Sequence, residues 1–522
     1  MTDNLLVDPV FRIRTEEGVV QASLPGVLAM LGRDAVFDFP GLRPHQRHPW
    51  HAFLCQLAVM ALEEAGENEW PDRLSEEDWR GYIRGLTPDY PDDAPWRLVV
   101  ADLARPAFLQ PPVPEGSLAG FTGMADANAA SPFDLDVLVT SKEHGEKGKS
   151  NGQPTAEEWA FGLLLLQTFS GYLGRGNQSI SRQNGGTAAR QGVSLTFSPR
   201  PGANWKRDCR VLLTSMDSNW DNELFHQGSG LRLLWLDPWK GDKDDALSLC
   251  NLHPLFIEIC RRIRLTLGLD DAVSFRVKGT EGTRVEAKHL KGVLGDPWIP
   301  INVGTKGGAK AYNSEPHYSV AHQVMFDTRA FEPCLLQRFH PGDPATGASL
   351  TFRVFSRTEG GSDGYHERII PIPSKDRPFF AARHTDAAAM AKYMARMAWD
   401  ARVRVLRPAV LQLLQASRET PEFKQPETAA WASRFSDTLD RAIDEAFFPA
   451  LWDCLEAMGE ASFEPHFLRP WSQCLIASVR REFKRACASL PVSSALAYRA
   501  MAKAECLLEG SLRKNLVIKE AA

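Results

Sequence analysis

From His384 onward the chain repeats apolar side chains at helical spacing, and this rhythm limits its folding options more than any other feature. Trp431, Phe435, Leu439, Ile443 and Phe447 recur every four residues, and Trp471, Leu475, Val479 and Phe483 repeat the interval. Such a stripe lies on one face of an α-helix and has to be buried against another element. Capping and turn residues divide the region into segments near 386–416, 427–458, 469–489 and 494–514, for which four antiparallel helices around a shared core are the economical solution. The aromatic stripes are expected to be core, and a domain boundary is expected near 375–385.

Ahead of that boundary the texture is mixed. Residues 4–31 look like short strands with turns, and a helix follows from about His51 to Ala65. Residues 105–157 are rich in Pro, Gly, Ser and Lys and read as extended loop. Within them TSKEHGEKGKSNG (140–152) has too little apolar surface to pack, so a partner has to order it. A helix from about Thr155 to Tyr172 comes next. VLLTSM (211–216) and LRLLWL (231–236) have the length of strands, HPLFIEICRRIRLTL (253–267) reads as helix, and GDPWIPINV (295–303) as extended structure. Between 350 and 374, LTFRVFSR and YHERIIPIP are strands joined by the turn formers TEGGSDG, which makes a hairpin with a long tip. The expected fold class is α+β, with a large mixed α/β domain over 1–380 and a four-helix bundle over 381–522. At 522 residues and 43% hydrophobic composition, the chain has material for two or three cores.

No apolar run reaches the roughly 18 residues a membrane span needs, since Phe161 to Phe169 is broken by Gly162 and Gln167. The start, MTDNLLVDP, lacks the basic and apolar regions of a secretory signal, so a cytoplasmic location is expected. Nine cysteines occur singly, without zinc-knuckle spacing, and read as reduced core thiols. His45, His48 and His51 bracket Pro49 at a helix start and read as having no cysteine or carboxylate close by, so neither a metal nor another cofactor is expected.

The formal net charge of −5 argues against a polyanionic partner, but the charge is segregated. Residues 61–100 hold 11 Asp/Glu against 4 Lys/Arg, whereas 171–210 hold 7 Lys/Arg against Asp208 alone, and 276–310 hold 7 basic against 3 acidic residues. Segregation of this kind can focus a positive field on one face. The first basic segment contains GRGNQSISRQNGGTAAR (174–190), with four glycines, two asparagines and three arginines. Glycine lets a backbone come close to a ligand, and arginine offers a planar fork of donors suited to phosphate. The Lys-Ser/Thr pair of a P-loop is missing, and Ser179 stands where a dinucleotide fingerprint needs its third glycine. A polyanion other than a small nucleotide is the remaining ligand reading, beside a solvated turn. GGSDG (360–364) matches G-x-S-x-G, but a nucleophile elbow needs a helix after it and here a second strand is expected. No enzymatic centre is expected.

Several stretches resemble, in order and over nearly the whole chain, the CasA family, the large subunit of the type I-E CRISPR surveillance complex called Cascade. They are NLLVDPVF, LRPHQRHPWHAFLCQLA, DVLVTSKEH, LLLLQTFSGYLGRGNQSISRQNGG, LHPLFIEICRRIRL, LKGVLGDPWIPI, RTEGGSDGYHERIIPIP and AFFPALW. The resemblance implies a non-catalytic reader. Such a subunit grips the 5′ handle of the CRISPR RNA, recognises the protospacer-adjacent motif in double-stranded DNA, starts strand separation and recruits a separate helicase-nuclease. Its partners would be the backbone, handle-binding and small subunits of Cascade. Sequence beyond the motif is then read by RNA–DNA pairing.

Residue by residue, the resemblance puts the handle-gripping loop on 140–151, with Ser141, Lys142, His144, Lys147 and Lys149 as RNA contacts. The glycine loop that enters the minor groove at the motif falls on Gly174, Arg175, Gly176 and Asn177, where small groups and an amide suit a narrow groove. Arg182 and Arg190 are expected to hold phosphates. A lysine that inserts beside the motif falls on Lys288 or Lys291. The strand-separating wedge falls on Thr358, Glu359, Gly360, Gly361, Ser362 and Asp363. Family wedges often present a glutamine, and this tip has none. The cysteine pairs that some members use for zinc are also missing. Two other readings stand beside this one: a serine hydrolase acting through Ser362, and a scaffold without nucleic acid built on the bundle and the acidic 61–100 region.

Overall fold

The computed structural model describes residues 3–123, 131–136, 154–172, 174–183, 189–216, 224–226, 230–268, 272–357, 363–415, 418–490 and 495–518. They form two compact units, Met1–Pro316 with Arg329–Pro371, and His317–Thr328 with Ile372–Ala522. The fold class is α+β.

In the first unit, β1 (Phe11–Thr15) and β2 (Gly18–Ala22) make an antiparallel hairpin. Helix α1 (Leu24–Gly32) starts where the Ser23 hydroxyl accepts the Gly26 N–H. Helix α2 (Arg47–Glu64) is buried on nearly every side and so forms the centre of the unit. Phe11 and Phe161 pack against its Trp50 with ring centroids at 4.9 and 5.1 Å. Helix α3 (Glu76–Gly85) and helix α4 (Ala156–Thr168) each begin with a reciprocal capping box, Ser75 with Asp78 and Thr155 with Glu158. Strand β3 (Gly192–Thr196) follows, then helix α5 (Pro201–Thr214), which packs on α2.

Three expectations are overturned here. Within residues 4–31, read as short strands with turns, Leu24–Gly32 form helix α1 behind the Ser23 cap. Val211 to Thr214 of VLLTSM end helix α5 and are not a strand, because Trp205, Cys209 and Leu212 continue one buried helical face. HPLFIEICRRIRLTL is not a helix. It supplies most of β4 (Leu252–Ile257) and all of β5 (Arg262–Leu267), and β5 pairs antiparallel with β6 (Val273–Lys278). Strand β4 is buried at every position, and a run buried on both faces shows no period by which strand and helix can be told apart. Of LRLLWL, Leu231–Leu233 form a short strand beside β4. The long hairpin is present: β7 (Ser349–Arg357) pairs with β8 (Asp363–Pro371) from Ser349↔Pro371 to Arg357↔Asp363, and β7 also pairs with β3.

The second unit is helical. Helix α6 (Tyr318–Phe326) joins α7 (His384–Asp400), which runs through a π turn at Ala401–Leu406 into α8 (Arg407–Leu414). Helices α9 (Pro426–Met458), α10 (Arg469–Ser489) and α11 (Ala497–Asn515) complete it. Helix α6, read from the sequence as part of the first domain, packs here: the Tyr318 ring stacks on Phe447 at 5.0 Å and its N–H donates to Asp444 at 2.6 Å. Leu439, Ile443 and Phe447 are buried, as are Trp471, Leu475, Val479 and Phe483. Trp431 is not core. It is 38% exposed and lies under the Arg434 guanidinium at 4.6 Å, because an every-four interval advances about 40° per step on a helix of about 3.6 residues per turn, so the stripe leaves the buried face, which at this end of α9 runs through Ala432 and Ser436. Among the described residues, no helix is long and apolar enough to cross a membrane.

The two ends of the α9 stripe should therefore respond differently. Phe447→Ala removes a buried ring and is expected to cost about 3–5 kcal/mol, whereas Trp431→Ala should stay within about 1 kcal/mol. Urea unfolding followed by far-UV circular dichroism reads both, and equal losses would show that the stripe is buried throughout.

Candidate nucleic-acid interface

Helix α4 ends at Thr168, and the buried amide of Gln167 fixes the course of the chain beyond it. Its Nε2 donates to the carbonyls of Leu109 and Arg261 at 2.8 and 3.0 Å, and its Oε1 accepts the N–H groups of Cys260 and Arg261 at 3.0 and 2.8 Å. Both donors and both lone pairs are used, as a buried amide requires. Arg261 carries the constraint outward, because its guanidinium donates to the carbonyls of Gly171, at 2.8 Å, and Gln178. These two carbonyls flank the turn Gly174 to Asn177, so a single side chain sets both ends of it.

The turn itself needs its glycines. Gly174 and Gly176 have φ of +111° and +84°, values that side chains with a Cβ rarely adopt. The Asn177 N–H closes the turn on the Gly174 carbonyl at 3.0 Å, and the Thr280 N–H reaches the Gly176 carbonyl at 3.1 Å. A Cβ on Gly176 would stand 3.4 Å from the Gly279 Cα. Arg175 and Asn177 project from this turn and are exposed.

The second basic segment joins the first at another point. Lys288 to Leu290 form one 3-10 turn, ended by Lys291 at φ +52° and Gly292 at φ +80°. The Gln183 backbone would lie only 2.6 Å from a Cβ on Gly292, which leaves room for glycine alone. The stretches 174–183 and 279–292 therefore touch at Gly176 with Gly279 and Thr280, and again at Gln183 with Gly292. The two candidate lysines differ: Lys291 Nζ donates to the Gly307 carbonyl at 2.6 Å, whereas Lys288 is exposed, with no acceptor among the described residues. Nearby cations are partly neutralised. Burial disfavours the charged form of Glu115, yet hydrogen bonds from Lys278 and Arg262 hold its carboxyl down at about 2.

Arg182 and Arg190 correct the expectation that they hold phosphates. Their side chains are 1% and 2% exposed and converge on Asp296, with Arg190 Nη2 at 2.7 Å and Arg182 Nη1 at 3.6 Å from Oδ2. The Arg182 guanidinium lies 4.1 Å from the Phe256 ring, and its Nη2 donates to the Pro254 and Phe256 carbonyls at 3.0 and 3.1 Å. Arg190 lies over Phe169 and Trp298 at 5.0 and 5.4 Å. Burial pulls the Arg182 guanidinium down to about 10, against the pull of Asp296. Both arginines are spent inside the protein.

The hairpin is anchored close by. The Gln191 amide donates to the Phe355 carbonyl at 2.9 Å and accepts the Phe355 N–H at 2.7 Å, so Gln191, one residue past the clamp, behaves like an added strand position beside β7.

No family model matches the chain, and no curated protein matches it in sequence. Solved structures match it from end to end. Thermobifida fusca Cse1 superposes with a TM-score of 0.64 at 14% identity, over 99% of this chain and 98% of that one. Thermus thermophilus CasA (Cse1) gives 0.63 at 15% over 98% and 99%, and Acidimicrobium ferrooxidans Cse1 gives 0.59 at 15% over 99% of each. The fold is that of the CasA (Cse1) proteins.

Within this CasA fold, Gly174, Arg175, Gly176, Asn177 and Lys288 lie at the surface on segments that share contacts. Ser141, Lys142, His144, Lys147 and Lys149 lie outside the described residues, as do Thr358, Glu359, Gly360, Gly361 and Ser362. Asp363 opens β8. One strand ends at Arg357 and the next begins at Asp363, so a strand and not the helix of a nucleophile elbow follows Ser362. The residues that position the site, Gln167, Arg261, Gln191 and Asp296, were not singled out in the sequence. Asp296, the one aspartate inside the second basic segment, was the available hint.

The arginines of GRGNQSISRQNGGTAAR should separate in a stability measurement. Asp296→Ala strands two buried guanidinium groups and is expected to cost about 3–5 kcal/mol, while Arg175→Ala should change stability by less than about 0.5 kcal/mol. Chemical unfolding of the two variants checks this, and a near-neutral Asp296→Ala would remove the clamp as a structural element.

Proposed function

We propose that this chain is the large subunit of a type I-E CRISPR RNA-guided Cascade complex. In this reading it recognises the protospacer-adjacent motif in double-stranded DNA, starts strand separation and recruits a separate helicase-nuclease. It performs no chemistry itself. The observation that carries the reading is the end-to-end CasA fold together with the joining of the glycine turn and the lysine turn on one unit. A further solved structure with this fold, at a TM-score of 0.51 and 14% identity, is described as a "CRISPR RNA-guided surveillance complex, pre-nicking".

The division of labour follows from which groups are free. The turn at Gly174 to Asn177 offers backbone, a guanidinium and an amide without bulk, which suits the narrow minor groove and its acceptor edges. Lys288 supplies the inserting cation, and Lys291 braces the turn that carries it. The 140–151 segment would fold on the RNA handle through Ser141, Lys142, His144, Lys147 and Lys149. Residues 358–363 would act as the wedge by backbone bulk, aimed by the rigid base that Gln191 gives to the hairpin.

The test uses the assembled complex. The chain should co-purify with a short RNA and sister subunits, and the complex should bind duplexes bearing the motif more tightly than duplexes lacking it. Asn177→Ala should cost about 1–3 kcal/mol of that preference. Lys288→Ala should lower the slope of log affinity against log salt by about 1, whereas Lys291→Ala should act mainly on stability. Equal binding with and without the motif would overturn the reading.

A further inference from the structure

Three histidines near the start of α2 part company in the fold. The His45 Nε2 meets Asp136 at 2.6 Å, and His48 is buried edge-on to Phe169 and Trp298. His51 corrects the expectation that no cysteine or carboxylate lies close by, because helical spacing and the packing of α5 bring it one of each. Cys55 lies one helical turn further along α2, on the same face, and Asp208 comes across from α5. Cys55 Sγ is 3.6 Å from His51 Nε2, Asp208 Oδ2 is 2.8 Å from that nitrogen, and the three atoms lie within 4.8 Å of one another.

The geometry distinguishes between a proton relay and a shared centre. A Cys-His-Asp relay uses the two imidazole nitrogens separately, one for the thiol and one for the carboxylate. Here both partners address the same nitrogen, so three donors of different chemistry point at one place. Tetrahedral zinc with bonds of about 2.0–2.1 Å to nitrogen and about 2.3 Å to sulfur separates N and S by about 3.6 Å, which is the separation found. The carboxylate oxygen would retreat by about 0.5 Å to reach its own ligand position.

The surroundings support the same centre. The second carboxylate oxygen of Asp208 accepts from Arg207 Nη1 at 3.1 Å, which orients Oδ2 toward His51. Partners of this kind commonly orient metal ligands. Cys55 and Asp208 are buried, whereas His51 keeps 22% of its side chain exposed. His51 and Asp208 line a cavity of about 260 Å³ whose wall also includes Arg47, Asn204, Arg353 and Glu367.

We propose that His51, Cys55 and Asp208 form a zinc site that ties α2 to α5, with the fourth coordination position open to this cavity. Nitrogen, sulfur and oxygen in one tetrahedral set favour zinc over magnesium or calcium, which take oxygen alone. Binding releases the Cys55 proton and any proton held by His51. The proposal concerns the interior of the first unit and does not rest on the DNA-binding reading.

The full chain, freed of metal by a chelator, is titrated with cobalt(II) as a spectroscopic substitute. The expected result is one equivalent bound, with the visible bands of tetrahedral cobalt and a near-ultraviolet sulfur-to-cobalt charge-transfer band, both abolished by zinc. Replacing the exposed Cys250, Cys474 and Cys506 by serine should leave the spectrum unchanged. Cys55→Ser should remove the charge-transfer band. Asp208→Asn should weaken binding by more than the 10- to 100-fold that loss of an outer-shell partner typically costs. X-ray absorption on the loaded wild-type chain should find one sulfur and the rest nitrogen or oxygen, a readout that needs no variant to fold. Absence of the cobalt spectrum, its persistence in Cys55→Ser, or a metal shell without sulfur would each overturn the site.

Discussion

A buried carboxylate between two arginines governs how the surface of the first unit is arranged. Asp296 draws in Arg182 from one side of residues 183–189 and Arg190 from the other, so the two ends of that stretch are pinned to a common point. An ion triad in a dry interior gains little net free energy over a well-packed apolar substitute, but it is costly to disturb once formed. What it confers is position. Arg182 follows the glycine turn, Arg190 precedes the Gln191 anchor of the hairpin, and Asp296 follows the lysine turn. Two stretches of chain that are far apart in sequence, one carrying Arg182 and Arg190 and the other carrying Asp296, thus acquire a fixed relation through one carboxylate.

The motif GRGNQSISRQNGGTAAR shows how far the sequence could be read. Its glycines were legible as a close-approach turn, and two of them adopt the backbone that only glycine takes readily. Its arginines were not. A guanidinium that meets phosphate and one buried against Phe256, Phe169 and Trp298 look alike in a single sequence, because the deciding partner, Asp296, lies more than a hundred residues away. The same limit explains β4 and β5. A run buried on both faces loses the alternation that marks a strand, and only pairing with distant neighbours fixes it. The bundle helices and the β7–β8 hairpin were legible because their signals are local: a repeated interval, a capping residue, a cluster of turn formers. Trp431 failed for a geometric reason: an interval of four residues drifts by about 40° per step round the helix, so the stripe that is buried at Phe447 has left the core by Trp431, while its neighbour Ala432 stays buried.

Charge tells a similar story. The acidic 61–100 region suggested a negative patch, yet many of its groups are committed within the first unit. Glu63 pairs with His253 and Arg232, Asp93 with Arg84, Asp92 with Arg105, and Glu76 with Arg80. On the basic side, Arg182, Arg190, Arg207, Arg262 and Arg284 are buried against carboxylates. Counting residues therefore overstates both signs. The positive field available to a partner comes from a smaller set, including Arg175 and Lys288, and a polyanion would be gripped by few contacts with correspondingly strict placement.

Strict placement would ask for a rigid base, and internal hydrogen bonds supply one under the glycine turn and under β7. Gln167 exhausts its amide on Leu109, Cys260 and Arg261, and Arg261 then holds both flanks of the glycine turn. Gln191 does the same for β7 through Phe355. Neither amide can reorganise without stranding a buried polar group, at about 1–3 kcal/mol for each group lost. If residues 358–363 separate strands without a glutamine, the work has to come from a tip that does not yield. A nine-pair antiparallel ladder fastened at Phe355 to the clamped segment resists bending far better than a free hairpin would. Glu359 and Asp363 would then repel the phosphates of a closed duplex. In the proposed reading, that repulsion lowers affinity at the entry point while favouring a separated pair over a stacked one, so opening depends on the stiffness beneath the tip more than on any single side chain at its end.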